Sequence, residues 1–293
     1  MATVAEWIEG ARPRTLPTTV SPVLIGCGAT IGGGTFDPWR ALLALVVAVA
    51  LGIGVNYAND YSDGIRGTDD ERVGPLRLVG SRKATPPAVR NAAFACFAIA
   101  GLAGLTLVSL SRQWWLIGVG VACVLAAWFY TGGKRPYGYL GLGEVAVFVF
   151  YGPVAVLGTV ITQDGLPGAP VVVASVGAGM LSCAVLVVNN LRDIPTDADV
   201  GKRTLAVLLG DHATRWLYVT LVLVPLVLSV AIAVRSWPTL FGLVAAPQAI
   251  VLARRVRSGV TGPDLVGLLA RTGLLLLLWS VGTAVGLAVA GRV

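Results

Sequence analysis

Charge is scarce in this chain. Of 293 residues only 22 are Lys or Arg and 15 are Asp or Glu, 13% together, where a soluble globular chain carries about a quarter. With a mean hydropathy of +0.80, that scarcity excludes a water-soluble single domain. Histidine is almost missing: His212 is alone, beside Asp211 in an expected polar connection, and reads as a solvated surface side chain. The four cysteines, Cys27, Cys96, Cys123 and Cys183, lie singly in apolar segments with no CxxC pair, which excludes a zinc cluster and makes them small buried hydrophobes. The 37 glycines and 16 prolines follow no triplet period, and the apolar stretches lack the alternation of barrel strands, so neither a collagen-like fibre nor a porin fits. The first fifteen residues hold Glu6, Glu9, Arg12, Pro13 and Arg14 rather than a basic end and a short apolar core, so no cleaved targeting segment is expected.

What the chain has instead is apolar length. A spanning helix needs ~20 apolar residues, and runs of that size recur, with nine candidate spans starting near Thr15, Arg40, Val89, Gln113, Gly143, Ala169, Ala213, Ser236 and Gly267. The expected fold class is all-α, a polytopic membrane protein with a single integral-membrane domain over residues 1–293. An odd span count divides the connections into two sets, and eighteen of the 22 basic residues fall on one side; only Arg40, Arg112, Arg235 and Arg292 fall on the other. By the positive-inside rule the N-terminus and long loops are cytoplasmic and the C-terminus is outside. The net charge of +7 follows from those loops, and no basic helix interleaved with aromatics suggests nucleic acid.

Thirteen of the 15 acids also lie on the inner side, which orientation rules do not require. They gather in two patches. The first closes the second span: Asn56-Tyr-Ala-Asn59-Asp60-Tyr61-Ser62-Asp63-Gly-Ile-Arg66-Gly67-Thr-Asp69-Asp70-Glu71. If the helix continues, Asn59, Asp60 and Asp63 share a face. The second closes the sixth span, where Asn189, Asp193 and Asp197 repeat every four residues and Pro195 is expected to loosen or end the helix. Stacked carboxylates at helix C-termini repel each other and meet an unfavourable macrodipole. A hard divalent cation with substrate phosphate oxygens would compensate, so the matched patches point to a Mg²⁺-diphosphate site; a solvated acidic loop would more readily account for one patch than for two.

Basic residues on the same loops, Arg66, Arg77, Arg135, Arg192, Lys202 and Arg203, can bond the remaining phosphate oxygens, besides setting orientation. Between the patches, the stretch Tyr130–Glu144 is rich in glycine and holds Tyr130, Tyr137 and Tyr139, whose hydroxyls and ring faces can meet a substrate.

The NDYxD from Asn59 to Asp63 and the NNxRDxxxD from Asn189 to Asp197 resemble the UbiA superfamily of intramembrane aromatic prenyltransferases. ARPRTLP from Ala11, NYANDYSDGIRGTD from Asn56, RVGPLRLVGS from Arg72, YTGGKRPYGYLGLGE from Tyr130 and GKRTLAVLLG from Gly201 look like the MenA branch, the 1,4-dihydroxy-2-naphthoate polyprenyltransferases of menaquinone synthesis. The likeness runs over essentially the whole chain. It implies nine transmembrane helices around a central cavity, a polyprenyl diphosphate donor, Mg²⁺ and a 1,4-dihydroxy-2-naphthoate acceptor in a cell membrane, with demethylmenaquinone, diphosphate and carbon dioxide as products. It also implies a metal-bridged diphosphate at Asp60, Asp63, Asp193 and Asp197, with Asn59 and Asn190 alongside. The superfamily's third acid position is Gly67 here, and Asp69 lies two residues later as a substitute ligand.

Glycines at Gly52, Gly54, Gly177 and Gly179 would either line such a cavity or serve as helix packing points. Arg12, Arg14 or Arg135 would receive the acceptor carboxylate. Alternatives are a prenyltransferase with another aromatic acceptor, or a cation-coupled transporter; transporter sites lie near the midplane on broken helices, whereas these acids sit at one set of helix ends. A soluble isoprenoid synthase is excluded by composition.

Overall fold

Prolines in the first turn, where a missing N–H costs nothing, open many of the helices. A computed structural model describes residues 2–68, 76–234 and 236–291, with no strand among them. The α-helices are α1 (Val4–Gly10), α2 (Pro17–Gly33), α3 (Pro38–Arg66), α4 (Pro86–Ser111), α5 (Leu116–Phe129), α6 (Gly143–Val149), α7 (Ala155–Ile161), α8 (Ala169–Asp199), α9 (Leu205–Ala233), α10 (Ala246–Arg257) and α11 (Asp264–Ala290). A π-helical stretch, Phe150–Val154, joins α6 to α7, and a 3₁₀ segment, Trp237–Ala245, leads into α10.

Among the described residues seven segments are long and apolar enough to cross a bilayer, and α1 with α2, bent by 53°, make an eighth. The fourth expected span is shorter than foreseen. Gln113, Trp114 and Trp115 form the turn before α5, leaving 14 helical residues, about 21 Å at ~1.5 Å per residue against a ~30 Å hydrocarbon core. Two other expectations are corrected. α8 runs through Pro195 to Asp199, so the proline is absorbed near the helix end rather than stopping it. α9 starts at Leu205 instead of Ala213, because Gly210, at φ 75° and ψ 171°, takes up a kink inside it; the exposed His212 therefore lies on the helix and not in a connection.

Helices meet through glycine. A Cβ on Gly28 would stand 2.3 Å from the Ala284 carbonyl oxygen of α11 and one on Gly32 2.3 Å from that of Leu287, while Gly282 and Gly286 face the backbone of Phe241 and Pro238 in the same way. These GxxxG pairs let backbones approach as lipid-embedded helices require. Gly54 against Phe97, Gly177 against Trp279 and Gly179 against the Phe148 carbonyl are packing points too, and Gly52, tight on Thr19, is the one of the four that also lines the cavity. The buried apolar side chains fall into a large group on α8 to α11 with α2 and α7, a second on α3, α4, α5 and the 76–80 segment, and a small third of Val23, Ala44 and Leu107. A cavity of about 950 Å³ lies among α1 to α8, with Val266 and Leu269 of α11 also lining it.

Candidate functional site

The first patch extends α3 to Arg66, with Asn59, Asp60, Ser62 and Asp63 buried. Asp60 turns to the following loop: Oδ2 accepts from the Leu78 amide at 2.7 Å and Oδ1 from the Val79 amide at 3.0 Å. That grip folds the segment carrying Arg77, whose Nη2 lies 3.8 Å from Asp63 Oδ2. Asp63 Oδ1 in turn accepts from the Tyr139 hydroxyl at 2.7 Å. Asn59 Oδ1 accepts from Thr131 Oγ1 at 2.8 Å.

In the second patch, Arg192 is folded back on its neighbour, with Nε donating to Asp193 Oδ1 at 2.7 Å and Nη2 to Oδ2 at 2.9 Å. Its Nη2 also donates to Asn189 Oδ1 at 3.0 Å. Lys202 Nζ lies 3.4 Å from Asp197 Oδ1. Asp193 and Asp197 are both buried, and each of the three carboxylates Asp63, Asp193 and Asp197 has a cation beside it.

The two patches are tied through the connection 130–144. Tyr139 bonds Asp63, and its ring carries Arg66 at 5.5 Å and Lys202 at 5.3 Å on its faces; its carbonyl accepts from the Arg203 amide at 3.2 Å. Burial first and then the Asp63 charge hold the Tyr139 phenol above its usual range, so it remains a donor. Arg66 donates to the Thr131 and Gly133 carbonyls. From α8, Asn190 Nδ2 donates to Glu144 Oε1 at 3.0 Å. α3 and α8 therefore converge on one loop rather than on each other, with the cavity between them; Asn59, Arg77, Tyr130 and Asn189 line it together with Arg12 and Arg14.

Not every expected residue is drawn in. Arg135 is exposed and lies outside the cavity lining. Asp69 lies outside the described residues. Asp60 is bound to backbone amides on both oxygens. Among the described residues no three His, Cys, Asp or Glu side chains are gathered as a ready-made metal cage. The donors around the mouth are nonetheless all oxygens of buried carboxylates and asparagines, a hard set that suits magnesium taking one or two carboxylates and completing its shell from phosphate. Sequence reasoning missed Glu144. It is buried in the first turn of α6, where an acid complements the helix dipole. An ionisable residue just inside an apolar span is a functional signal by default, and it could have been found that way.

Residues 19–264 match the UbiA prenyltransferase family. The chain is 56% identical over 288 residues to the 1,4-dihydroxy-2-naphthoate octaprenyltransferase of Mycobacterium tuberculosis, covering 98% of each chain. It is 37% identical over 260 residues to the Escherichia coli protein of the same name, covering 85% of this chain and 84% of that one. In fold it is similar to a UbiA homolog from Archaeoglobus fulgidus bound to GPP and Mg²⁺, with a TM-score of 0.66 at 13% identity, covering 96% of this chain and 99% of that chain.

Proposed function

We propose, for a chain that belongs to the UbiA prenyltransferase family, that it transfers a polyprenyl group from polyprenyl diphosphate to 1,4-dihydroxy-2-naphthoate, releasing diphosphate and carbon dioxide and giving demethylmenaquinone. One observation carries the reading: the ends of α3 and α8, with their buried Asn and Asp side chains, are joined by the Tyr139 and Glu144 contacts around the charged end of a cavity whose lining is elsewhere mostly apolar.

Diphosphate binding falls to Arg77, Arg192 and Lys202, with Arg66 beside Tyr139. Each of the first three is held against a carboxylate, so a diphosphate would draw these cations to its oxygens and leave Asp63, Asp193 and Asp197 for magnesium. Glu144 Oε1 accepts from the Asn190 amide, which leaves the Asn190 carbonyl oxygen as the end for a ligand. Asp60 is a positioning residue that folds the Arg77 segment. When bound, magnesium supplies neutralisation of the charge that develops on the leaving diphosphate. The helices keep water from the allylic cation and accommodate the isoprenoid tail, and Arg12 and Arg14, which line the cavity, receive the acceptor carboxylate. The whole chain acts as one integral-membrane domain of the cell membrane, with the charged mouth facing the cytoplasm.

The test is product identification by mass with the detergent-solubilised chain, polyprenyl diphosphates of several lengths and candidate aromatic acids, with and without Mg²⁺. Demethylmenaquinone is expected only with Mg²⁺ and the dihydroxynaphthoate. Asp63→Asn and Asp193→Asn should each lower turnover about a hundredfold or more without unfolding the protein. Absence of turnover with the named pair removes the assignment.

A further inference from the structure

Beyond the charged mouth the cavity runs on between apolar helix faces, and two of the residues that line it, Ser182 and Tyr151, carry hydroxyls with no protein partner among the described residues. On α8 the residues Ser182, Val185, Leu186 and Asn189 all line the cavity, at the spacing of one helical face. Ser182 is seven residues before Asn189, about 10 Å deeper at ~1.5 Å per residue. It is 1% exposed, and its Oγ has no hydrogen-bond partner. A helical serine or threonine ordinarily returns its hydroxyl to a carbonyl one turn back, as Thr159, Thr162 and Ser229 do in this chain. Among the described residues Ser182 is the one buried, unpartnered hydroxyl that lines the cavity.

Tyr151 belongs to the π-helical stretch Phe150–Val154, a local widening that redirects side chains and recurs at functional sites. Its ring lines the cavity. Its hydroxyl lies 4.0 Å from where a Cβ on Gly52 would stand, and it makes no hydrogen bond among the described residues. Gly52 is seven residues before Asn59 on α3, as Ser182 is before Asn189 on α8. Both helices run toward the mouth, so Ser182 on α8 and the Gly52 level of α3 that the Tyr151 hydroxyl approaches each lie about two turns below the asparagines.

A polyprenyl tail has no hydrogen-bonding group at that depth. A hydroxylated aromatic acid does: it carries its carboxylate on one side of the ring and, in the 1,4-dihydroxy acid, a hydroxyl away from it. We propose that Ser182, with Tyr151, binds the acceptor's ring hydroxyl remote from the carboxylate, while the carboxylate stays at the charged mouth near Arg12 and Arg14. The assignment rests on the prenyltransferase reading and makes these two residues determinants of acceptor specificity.

The experiment compares 1,4-dihydroxy-2-naphthoate with 1-hydroxy-2-naphthoate, which lacks the remote hydroxyl, on the full chain in detergent. Both equilibrium binding and kcat/KM are measured. The electronic difference between the two rings is the same for every variant, so the change in preference isolates the contact. The wild type is expected to bind the dihydroxy acid roughly tenfold more tightly. Ser182→Ala should reduce that preference to about twofold or less, with the KM for polyprenyl diphosphate unchanged, and Tyr151→Phe should narrow it. Ser182→Thr, which keeps a hydroxyl, should retain it. An undiminished preference in Ser182→Ala, or a rise in the polyprenyl diphosphate KM in its place, overturns the proposal. If the wild type turned over neither acid, the prenyltransferase reading would fall, and the binding ratio would still decide whether Ser182 reads the hydroxyl.

Discussion

Tyr139 donates to Asp63 at 2.7 Å while cations lie over its ring, so one side chain sets both the direction of a carboxylate and the spacing of two bases. Tyr139→Phe is expected to lower kcat/KM about ten- to a hundredfold, the effect of one hydrogen bond to a charged group. The raised phenol pKa adds a pH signature. Because the fold favours the protonated form, its contribution to stability is complete below the ordinary tyrosine pKa of about 10 and is lost as pH rises above it. Thermal unfolding between about pH 9 and 11 should therefore drop more steeply for the wild type than for Tyr139→Phe; parallel curves would show that Tyr139 is not held neutral by its surroundings. Glu144 acts one step back, through Asn190. With Gln in its place Asn190 can turn either way, and the KM for polyprenyl diphosphate should rise roughly tenfold, as when an outer partner of a ligand is lost. The acceptor KM should hold steady. A fall confined to thermal stability would make Glu144 a packing residue instead.

Among the elements, α3 and α8 were legible from the sequence because apolar length and a terminal cluster of Asn and Asp both survive folding unchanged. The shared face of Asn59 and Asp63 followed from helical spacing, and both side chains do meet the same connection, at Thr131 and Tyr139. Asp60 was not legible, since its partners are the amides of Leu78 and Val79 and backbone donors leave no mark in a sequence. Glu144 was hidden by its neighbours: after a glycine-rich stretch a single acid reads as loop. Pro195 misled because a proline near a helix end loses one backbone bond that the structure can forgo. The crossing of α2 on α11 tests the packing side of this picture. At Gly28 a Cβ meets the backbone of Ala284, which cannot swing aside as a side chain can. Gly28→Ala should destabilise by roughly 1–3 kcal/mol and lower the unfolding temperature in detergent. Gly118→Ala, with nothing within 4 Å, should not lower it. Equal melting curves would mean that α2 and α11 are not held in close backbone contact.

Taken as a whole, the molecule places its charged side chains at the helix ends and its large exposed apolar side chains along the outer helix faces, among them Leu102, Val121, Val227 and Val281, where lipid rather than water would meet them. The imbalance of basic residues between the two sets of connections gives this belt a direction. The α10–α11 connection follows Arg254, Arg255 and Arg257 and belongs to the basic side, as do the ends of α3 and α8; the α7–α8 connection, with Leu166 almost fully exposed, belongs to the other. Single cysteines at Ser258 and at Leu166 report the orientation directly, measured above the background of the native Cys27, Cys96, Cys123 and Cys183. A membrane-impermeant maleimide added to intact cells should label Leu166→Cys and spare Ser258→Cys, and the order should reverse in inside-out vesicles. The converse pattern would put the diphosphate mouth on the outer surface, away from the compartment whose pools of charged prenyl donor and aromatic acid the proposed reaction needs.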